Sequence, residues 1–83
     1  MSYAYILRSE KNSSYYVGSC EDVTSRLTQH NNGRVKSTKR YRPWLLVYQE
    51  RLGTLEEARR REKQIKGWKK RVAIERLLDI SKK

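Results

Sequence analysis

Five polar side chains whose chemistry suits cleavage of a phosphodiester bond are placed by the sequence pattern near apolar positions. Tyr5 and Tyr16 lie in two successive runs of aromatic and β-branched residues, and such runs are typical of strands. Arg26 and His30 are four residues apart on a predicted helix, at the edge of its apolar stripe. Glu62 lies on the apolar stripe of a later helix. We therefore expect these side chains to lie nearer the core than the solvent.

These residue types can divide the work of phosphodiester hydrolysis among them. A single carboxylate, here Glu62, can hold a Mg²⁺ or Mn²⁺ ion that keeps most of its waters. The Arg26 guanidinium can stabilise charge on a phosphate. A tyrosine or a histidine can orient or deprotonate water. An alternative interpretation makes Tyr5 and Tyr16 amphipathic core residues whose hydroxyls each find a hydrogen-bond partner.

Glu62 also has a simpler interpretation as half of a helix ion pair with Lys66, four residues later. The same spacing predicts that Glu57 pairs with Arg61 on the solvent side of this helix. A carboxylate that points towards a core is costly unless it meets a cation or a metal ion. This cost favours a site role for Glu62 over the ion pair alone.

A small sheet and three helices must position these side chains. Gly18 is expected to end the second strand and to mark a close approach of the backbone. On the third strand, Trp44, Leu46 and Tyr48 are predicted to share one face. The predicted strands cover residues 2–9, 15–18 and 44–51, and the predicted helices cover residues 22–30, 54–66 and 68–79.

Composition bounds the kind of protein. The 83 residues are expected to form one domain, residues 1–83, with 20 basic and 9 acidic side chains and a net charge of +11. Such an excess argues for a polyanionic partner, although a basic surface alone needs no catalysis. The lone Cys20 fits a reducing, cytoplasmic compartment and is more typical of a small buried residue than of a nucleophile. We expect no structural zinc site, signal peptide or membrane-spanning segment.

Two clusters of basic residues are the predicted nucleic-acid contacts. Residues 33–42, named here the basic loop, carry no acidic residue, and their hydroxyls and aromatic ring suit phosphate and base contacts. The alternative is an ordinary solvated, mobile loop. The second cluster follows Gly67. The predicted contacts are Arg34, Lys36, Lys39, Arg40, Arg42, Lys69, Lys70 and Arg71.

The order and spacing of these residues resemble the GIY-YIG nuclease superfamily, and the resemblance extends from Tyr3 to about Leu78. The two halves of the motif match Tyr3-Ala4-Tyr5 and Tyr16-Val17-Gly18, with Tyr3 and Ala4 in place of Gly and Ile. The match continues through Ser19, Arg26, His30 and Glu62. Within the superfamily, the chain is most similar to small stand-alone bacterial proteins and to the nuclease domain of Slx-type endonucleases.

The resemblance implies an α+β fold, a three-stranded antiparallel sheet flanked by about three helices. It implies cleavage of DNA, in repair or recombination of branched or damaged DNA, with Mg²⁺ or Mn²⁺. By this analogy Tyr5 is the general base or water-orienting group with Tyr16 beside it, and His30 assists Tyr5. Arg26 would hold the scissile phosphate and Glu62 the metal ion.

Two alternatives to an independently active enzyme stay open. One is a catalytically idle basic module that binds DNA or RNA, and the other is a subunit that is active only with a protein partner. Many members of the superfamily place an Asn in the last helical region, whereas this chain has no Asn after Asn32. That contact must be absent or replaced.

Overall fold

The computed structural model describes residues 1–68 and 70–81 and confirms the α+β fold. Three antiparallel strands form one sheet in the order β2-β1-β3, and β1 pairs with both neighbours. The strands are β1 (Ser2–Ser9), β2 (Tyr15–Cys20) and β3 (Trp44–Leu52), and the helices are α1 (Val23–Asn31), α2 (Leu55–Lys66) and α3 (Arg71–Ser81), with a 3₁₀ turn at Lys39–Tyr41.

Both faces of the sheet are covered, because β1 is apolar on both sides. On one face, named here the α1 face, Val23 of α1 packs against the buried side chains of Tyr5, Leu7, Cys20 and Trp44. On the opposite face, named the α2 face, Ile65 of α2 packs against Ile6 and Val17. Residues of α3 pack around them. The outer strand β2 therefore runs between a helix on one face and a helix on the other.

Side-chain caps set the starts of two helices as the sequence predicts. The Asp22 carboxylate accepts a hydrogen bond from Ser25 N at 3.0 Å, and the Thr54 hydroxyl accepts one from Glu57 N at 3.1 Å. The predicted start of α3 was wrong, because this helix begins at Arg71 rather than at Trp68. Trp68 instead packs on the α2 face, with Arg61 above its ring at 5.6 Å.

Gly18 lies inside β2 rather than at its end, so the predicted end of this strand was wrong. The glycine pairs with Tyr5 of β1. A Cβ atom at Gly18 would lie 2.5 Å from Tyr5 Cζ. The expected close approach is thereby confirmed, and the strand continues past it to Cys20.

The predicted face of Tyr48 was also wrong, because β3 has an irregularity that the sequence did not indicate. Ile6 pairs with Tyr48 and the next residue, Leu7, pairs with Leu46, so one extra residue of β3 lies between them. Such a bulge turns the following side chains to the other face. Tyr48 consequently packs on the α2 face.

The turned Tyr48 explains a further difference from the sequence prediction. Its hydroxyl donates to Glu50 at 2.7 Å, and Arg61 pairs with the same Glu50 at 3.0 Å. Arg61 therefore joins α2 to β3 instead of pairing with Glu57, which contacts Thr54. In the described part of the chain, no helix is long and apolar enough to cross a membrane.

Candidate active site at the edge of the sheet

A buried chain of hydrogen bonds joins β1, α1 and the basic loop. Tyr5 Oη lies 3.0 Å from His30 Nε2, and His30 Nδ1 lies 2.8 Å from Thr38 Oγ1. Tyr5 is 2% exposed, His30 0% and Thr38 1%. The last turn of α1 thus directs His30 into the core, deeper than the stripe edge that the sequence predicted.

Burial keeps the Tyr5 and His30 side chains uncharged. Desolvation, together with the nearby charge of Arg26, lowers the pKa of His30 to about 4. Desolvation is also the main cause that raises the pKa of Tyr5 above its ordinary value, and Tyr16 adds to it. At neutral pH the pair is therefore a phenol and a neutral imidazole.

Tyr16 lies beside this pair on the α1 face and is only half-buried. Its ring centroid is 6.4 Å from that of Tyr5 and 4.9 Å from that of His30. The Lys66 ammonium of α2 lies 5.8 Å from the centroid of the Tyr16 ring. Because Lys66 belongs to the opposite face, this contact passes around the outer side of β2.

Glu62 reaches the same strand from the α2 face. Side chains alternate along a strand, so Ser19 faces away from Gly18 and Cys20 and towards α2. Ser19 Oγ donates to Glu62 Oε1 at 2.5 Å, and Lys66 Nζ donates to Glu62 Oε2 at 2.6 Å. The predicted ion pair with Lys66 is thus present, and Glu62 has a second partner as well.

The polar groups therefore surround the edge of β2 rather than filling one pocket. Tyr5, Tyr16 and His30 are in mutual contact on the α1 face. Glu62 lies on the α2 face and is linked to them through Ser19 and the residues of β2.

The described oxygen atoms around Glu62 are too few to surround a metal ion, so they could hold only a divalent ion that stays largely hydrated. The Glu62 side chain is 22% exposed, and its carboxylate has the Ser19 hydroxyl next to it. Among the described residues, no group of three or more His, Cys, Asp and Glu side chains could surround a metal ion. An ion held here would have to keep most of its waters, as Mg²⁺ does, and Lys66 would have to release one oxygen.

Arg26 is exposed, so the expectation that it lies near the core was wrong. Its charge still acts on the buried site, since it contributes to the pKa shifts of Tyr5 and His30. Within the described residues, no carboxylate lies at ion-pair distance from Arg26. Its guanidinium is therefore available to an anion at the surface.

The basic loop presents its cations outward while its middle is tied to the core. Trp44 Nε1 donates to the Thr38 carbonyl at 2.9 Å, and Ser9 Oγ donates to the Tyr41 carbonyl at 2.6 Å. These anchors fix the backbone of the loop at Thr38 and Tyr41. The exposed cations are Arg34, Lys36, Lys39, Arg40 and Arg42.

The second basic cluster borders the site on the other side of β2. Lys70 and Arg71 are exposed and line a groove of about 390 Å³ whose wall includes Tyr15 and Tyr16. The Arg71 guanidinium lies 4.5 Å from the centroid of the Tyr15 ring. Lys69, which was predicted with them, lies outside the described residues.

Sequence reasoning assigned no role to Ser19, which holds Glu62. It counted Thr38 among the loop hydroxyls that suit phosphate or base contacts, and this was wrong, because Thr38 is buried against His30. Ser19 could have been found by continuing the alternation of β2 beyond Gly18. Thr38 lies in a loop without periodicity, so no sequence signal indicated its burial. Cys20 is buried as predicted, and desolvation raises its pKa, as for a packed side chain rather than a reactive one.

Comparison with known proteins assigns the chain to a family. Residues 1–76 match the model of the GIY-YIG catalytic domain. A UPF0213 protein of Staphylococcus saprophyticus is 46% identical over 65 residues, which cover 77% of this chain and 78% of that protein. A UPF0213 protein of Staphylococcus epidermidis is 43% identical over 67 residues, 80% of each chain.

A solved structure agrees with this assignment. The solution NMR structure of a UPF0213 protein from Bacillus halodurans superposes with a TM-score of 0.60 and 33% sequence identity, over 96% of this chain and 85% of that one. The motif residues, the fold and these relatives together show that the chain belongs to the GIY-YIG nuclease family, among its small UPF0213 proteins.

Proposed function

We propose that this protein is a metal-dependent endonuclease that hydrolyses phosphodiester bonds in DNA. The observation that carries the proposal is that two pairs of polar side chains approach the edge of β2 from opposite faces of the sheet. The Tyr5–His30 pair lies on one face of β2, and the Glu62–Ser19 pair lies on the other. A phosphate at this edge would meet a proton acceptor from one side and a carboxylate from the other.

The side chains divide the reaction as follows. Tyr5 accepts a proton from the attacking water while its own proton passes to His30. Tyr16 helps to orient that water. Arg26 binds the scissile phosphate, because its guanidinium is exposed and unpaired by carboxylates in the described structure. Preorganised positive charge of this kind stabilises the charge that develops in the transition state.

Glu62 would hold the divalent ion, Mg²⁺ or Mn²⁺, with Ser19 orienting the carboxylate. When bound, such an ion supplies Lewis-acid stabilisation of phosphate charge. Lys66 neutralises Glu62 in the absence of the ion and, once displaced, is a cation beside Tyr16. The cost of holding the carboxylate half-buried is thereby reduced.

DNA would be bound by the two basic clusters on either side of the site. The basic loop, which contacts His30 through Thr38, supplies five exposed cations, and Lys70 and Arg71 supply two more in the groove that Tyr16 also lines. Lys69 is proposed to join them. Contacts of this kind would be to phosphates and would not select a sequence. We propose branched or damaged DNA in repair or recombination as the substrate, the cytoplasm as the protein's location, and a protein partner that contributes specificity.

The deciding experiment incubates the purified protein with single-stranded, duplex, nicked, flapped and four-way-junction DNA, each with Mg²⁺, Mn²⁺ or EDTA. We expect cleavage of at least one branched substrate with a divalent ion and none with EDTA. RNA versions of the same substrates test the choice of nucleic acid. Binding without cleavage on every substrate would favour an idle binding module, and cleavage that appears only with cell extract would favour a subunit that needs a partner.

A further inference from the structure

We infer that Thr38 is a positioning residue that fixes the proton of His30 on Nδ1. Tyr5 must then donate its own proton to His30 Nε2 and present only acceptor lone pairs to a substrate. The assignment of the proton rests on hydrogen-bond geometry, and its consequence for cleavage rests on the proposed function.

The surroundings of the Thr38 hydroxyl determine whether it donates to His30 Nδ1 or accepts from it. Thr38 Oγ1 has one proton and two neighbours, the Val35 carbonyl at 3.3 Å and His30 Nδ1 at 2.8 Å. A carbonyl oxygen can only accept, so the contact with Val35 is a hydrogen bond only when the Thr38 hydroxyl donates to it, and we infer this direction. The remaining contact then requires that His30 Nδ1 donates to the Thr38 hydroxyl.

The hydrogen bond between Tyr5 and His30 leads to the same tautomer, with the proton on Nδ1. A neutral imidazole protonated on Nδ1 has a lone pair on Nε2, which accepts the Tyr5 proton at 3.0 Å. In the opposite tautomer Nε2 would donate to Tyr5, and the phenol proton would have no acceptor among the described residues. Because Tyr5 is 2% exposed, such an unpaired donor would be unfavourable.

Thr38 is held firmly enough to impose this choice. It is 1% exposed, its carbonyl accepts from Trp44 Nε1 at 2.9 Å, and its N–H donates to the Val35 carbonyl at 3.1 Å. Its position depends on the basic loop and on β3, not on α1. The loop therefore has a second task besides carrying cations, because it sets the protonation pattern of the buried site.

The direction of these bonds defines the path of the proton during hydrolysis. As the water oxygen bonds to phosphorus, a water proton passes to Tyr5 Oη and the Tyr5 proton passes to His30 Nε2. The bond from phosphorus to the leaving oxygen breaks, and that oxygen takes a proton from solvent. His30 later returns its proton through Tyr5 to solvent, so that one water is consumed and the protein is restored.

The chain contains a single histidine, which makes the assignment directly measurable. In ¹⁵N spectra of histidine-labelled protein near pH 7, we expect one neutral imidazole with Nδ1 protonated and Nε2 unprotonated. A parent protein with the proton on Nε2 would overturn the inference, whatever its activity. This spectrum needs neither a metal ion nor a substrate.

Two variants test the role of the Thr38 hydroxyl. T38V removes the acceptor while keeping the shape, and T38S keeps the acceptor. We expect T38V to show a mixture of tautomers and to lose about 10–100-fold in kcat, as for other removed supporting groups, with KM unchanged. T38S should retain the parent tautomer and most of the parent kcat.

The outcomes separate this inference from the proposed function. A T38V protein that is folded, keeps the Nδ1 proton and cleaves like the parent would overturn the positioning role. If T38V does not fold, as its melting curve would show, the parent spectrum still decides the tautomer. A parent that carries the Nδ1 proton but cleaves no substrate would overturn the proposed function and leave the assignment intact.

Discussion

Ser19 and Glu62 are 43 positions apart in the sequence, yet Ser19 Oγ donates to Glu62 Oε1 at 2.5 Å on the α2 face of the sheet. This contact fixes the carboxylate of α2 next to the strand that also carries Tyr16 and Gly18. Lys66, which also binds Glu62, contacts the Tyr16 ring and so joins this carboxylate to the α1 face around the outer side of β2.

Glu62→Gln tests whether this carboxylate is the metal ligand. The amide keeps the shape and can still accept from Ser19, but it loses the charge that binds a cation. We expect the variant to fold at least as stably as the parent, to bind DNA unchanged and to lose metal-dependent cleavage. If Glu62 is only half of the ion pair with Lys66, the change should instead cost about 0.2–0.5 kcal/mol in the free energy of unfolding and leave cleavage untouched.

Glu56→Gln is the matched control, since Glu56 forms an exposed ion pair of the same spacing with Arg60 on the same helix. It should cleave like the parent. Metal-dependent cleavage by Glu62→Gln at the parent rate would show that the site is assigned wrongly.

The burial of His30 predicts a pH-dependent stability. The unfolded imidazole has a pKa of 6.5 and the folded one about 4, so acid protonates the unfolded chain first. The buried neutral imidazole therefore contributes fully to the free energy of unfolding above pH 6.5, and this contribution is lost as the pH falls towards 4. Over this window it amounts to about 3 kcal/mol.

Urea denaturation of the parent and of His30→Gln between pH 7 and about 4 measures this effect. Carboxylates titrate alike in both proteins, so their contribution cancels in the comparison. The parent should lose more free energy of unfolding than the variant as the pH falls. Parallel pH profiles would mean that the imidazole is not buried as described.

Gly18→Ala tests the close approach of Tyr5 to β2. The added methyl group would overlap the phenol ring and push Tyr5 away from His30. We expect a loss of about 1–3 kcal/mol in the free energy of unfolding and slower cleavage. Gly53→Ala is the control, because its methyl group would meet only the end of the Glu57 side chain at 3.3 Å; an equal effect of both changes would contradict the assigned packing.

The salt dependence of DNA binding tests the basic loop. If its five exposed cations each neutralise one phosphate, log K should fall against log salt with a slope of about −4 to −5. Lys36→Gln should make the slope about 0.9 less steep. Arg59→Gln, on the exposed side of α2, should leave it unchanged. Fluorescence anisotropy between about 50 and 200 mM salt measures both, and binding that ignores salt would remove the loop as a phosphate contact.

The elements of this fold are largely readable from local sequence. Asp22 and Thr54 mark helix starts because their side chains cap the first turn, whatever the rest of the chain does. Tyr48 could not be placed correctly, because the bulge in β3 depends on how β1 and β3 align and not on the residues of β3 alone.

The sequence by itself determined the three strands, the three helices, the positive surface and the residue types available for chemistry, because periodicity, caps and charge are local properties. Only the tertiary structure decided that Arg26 is exposed, that Thr38 is buried against His30, and that Glu62 of α2 meets Ser19 of β2. These relationships join residues distant in the chain, and they follow from how α1, α2 and the basic loop pack around one strand.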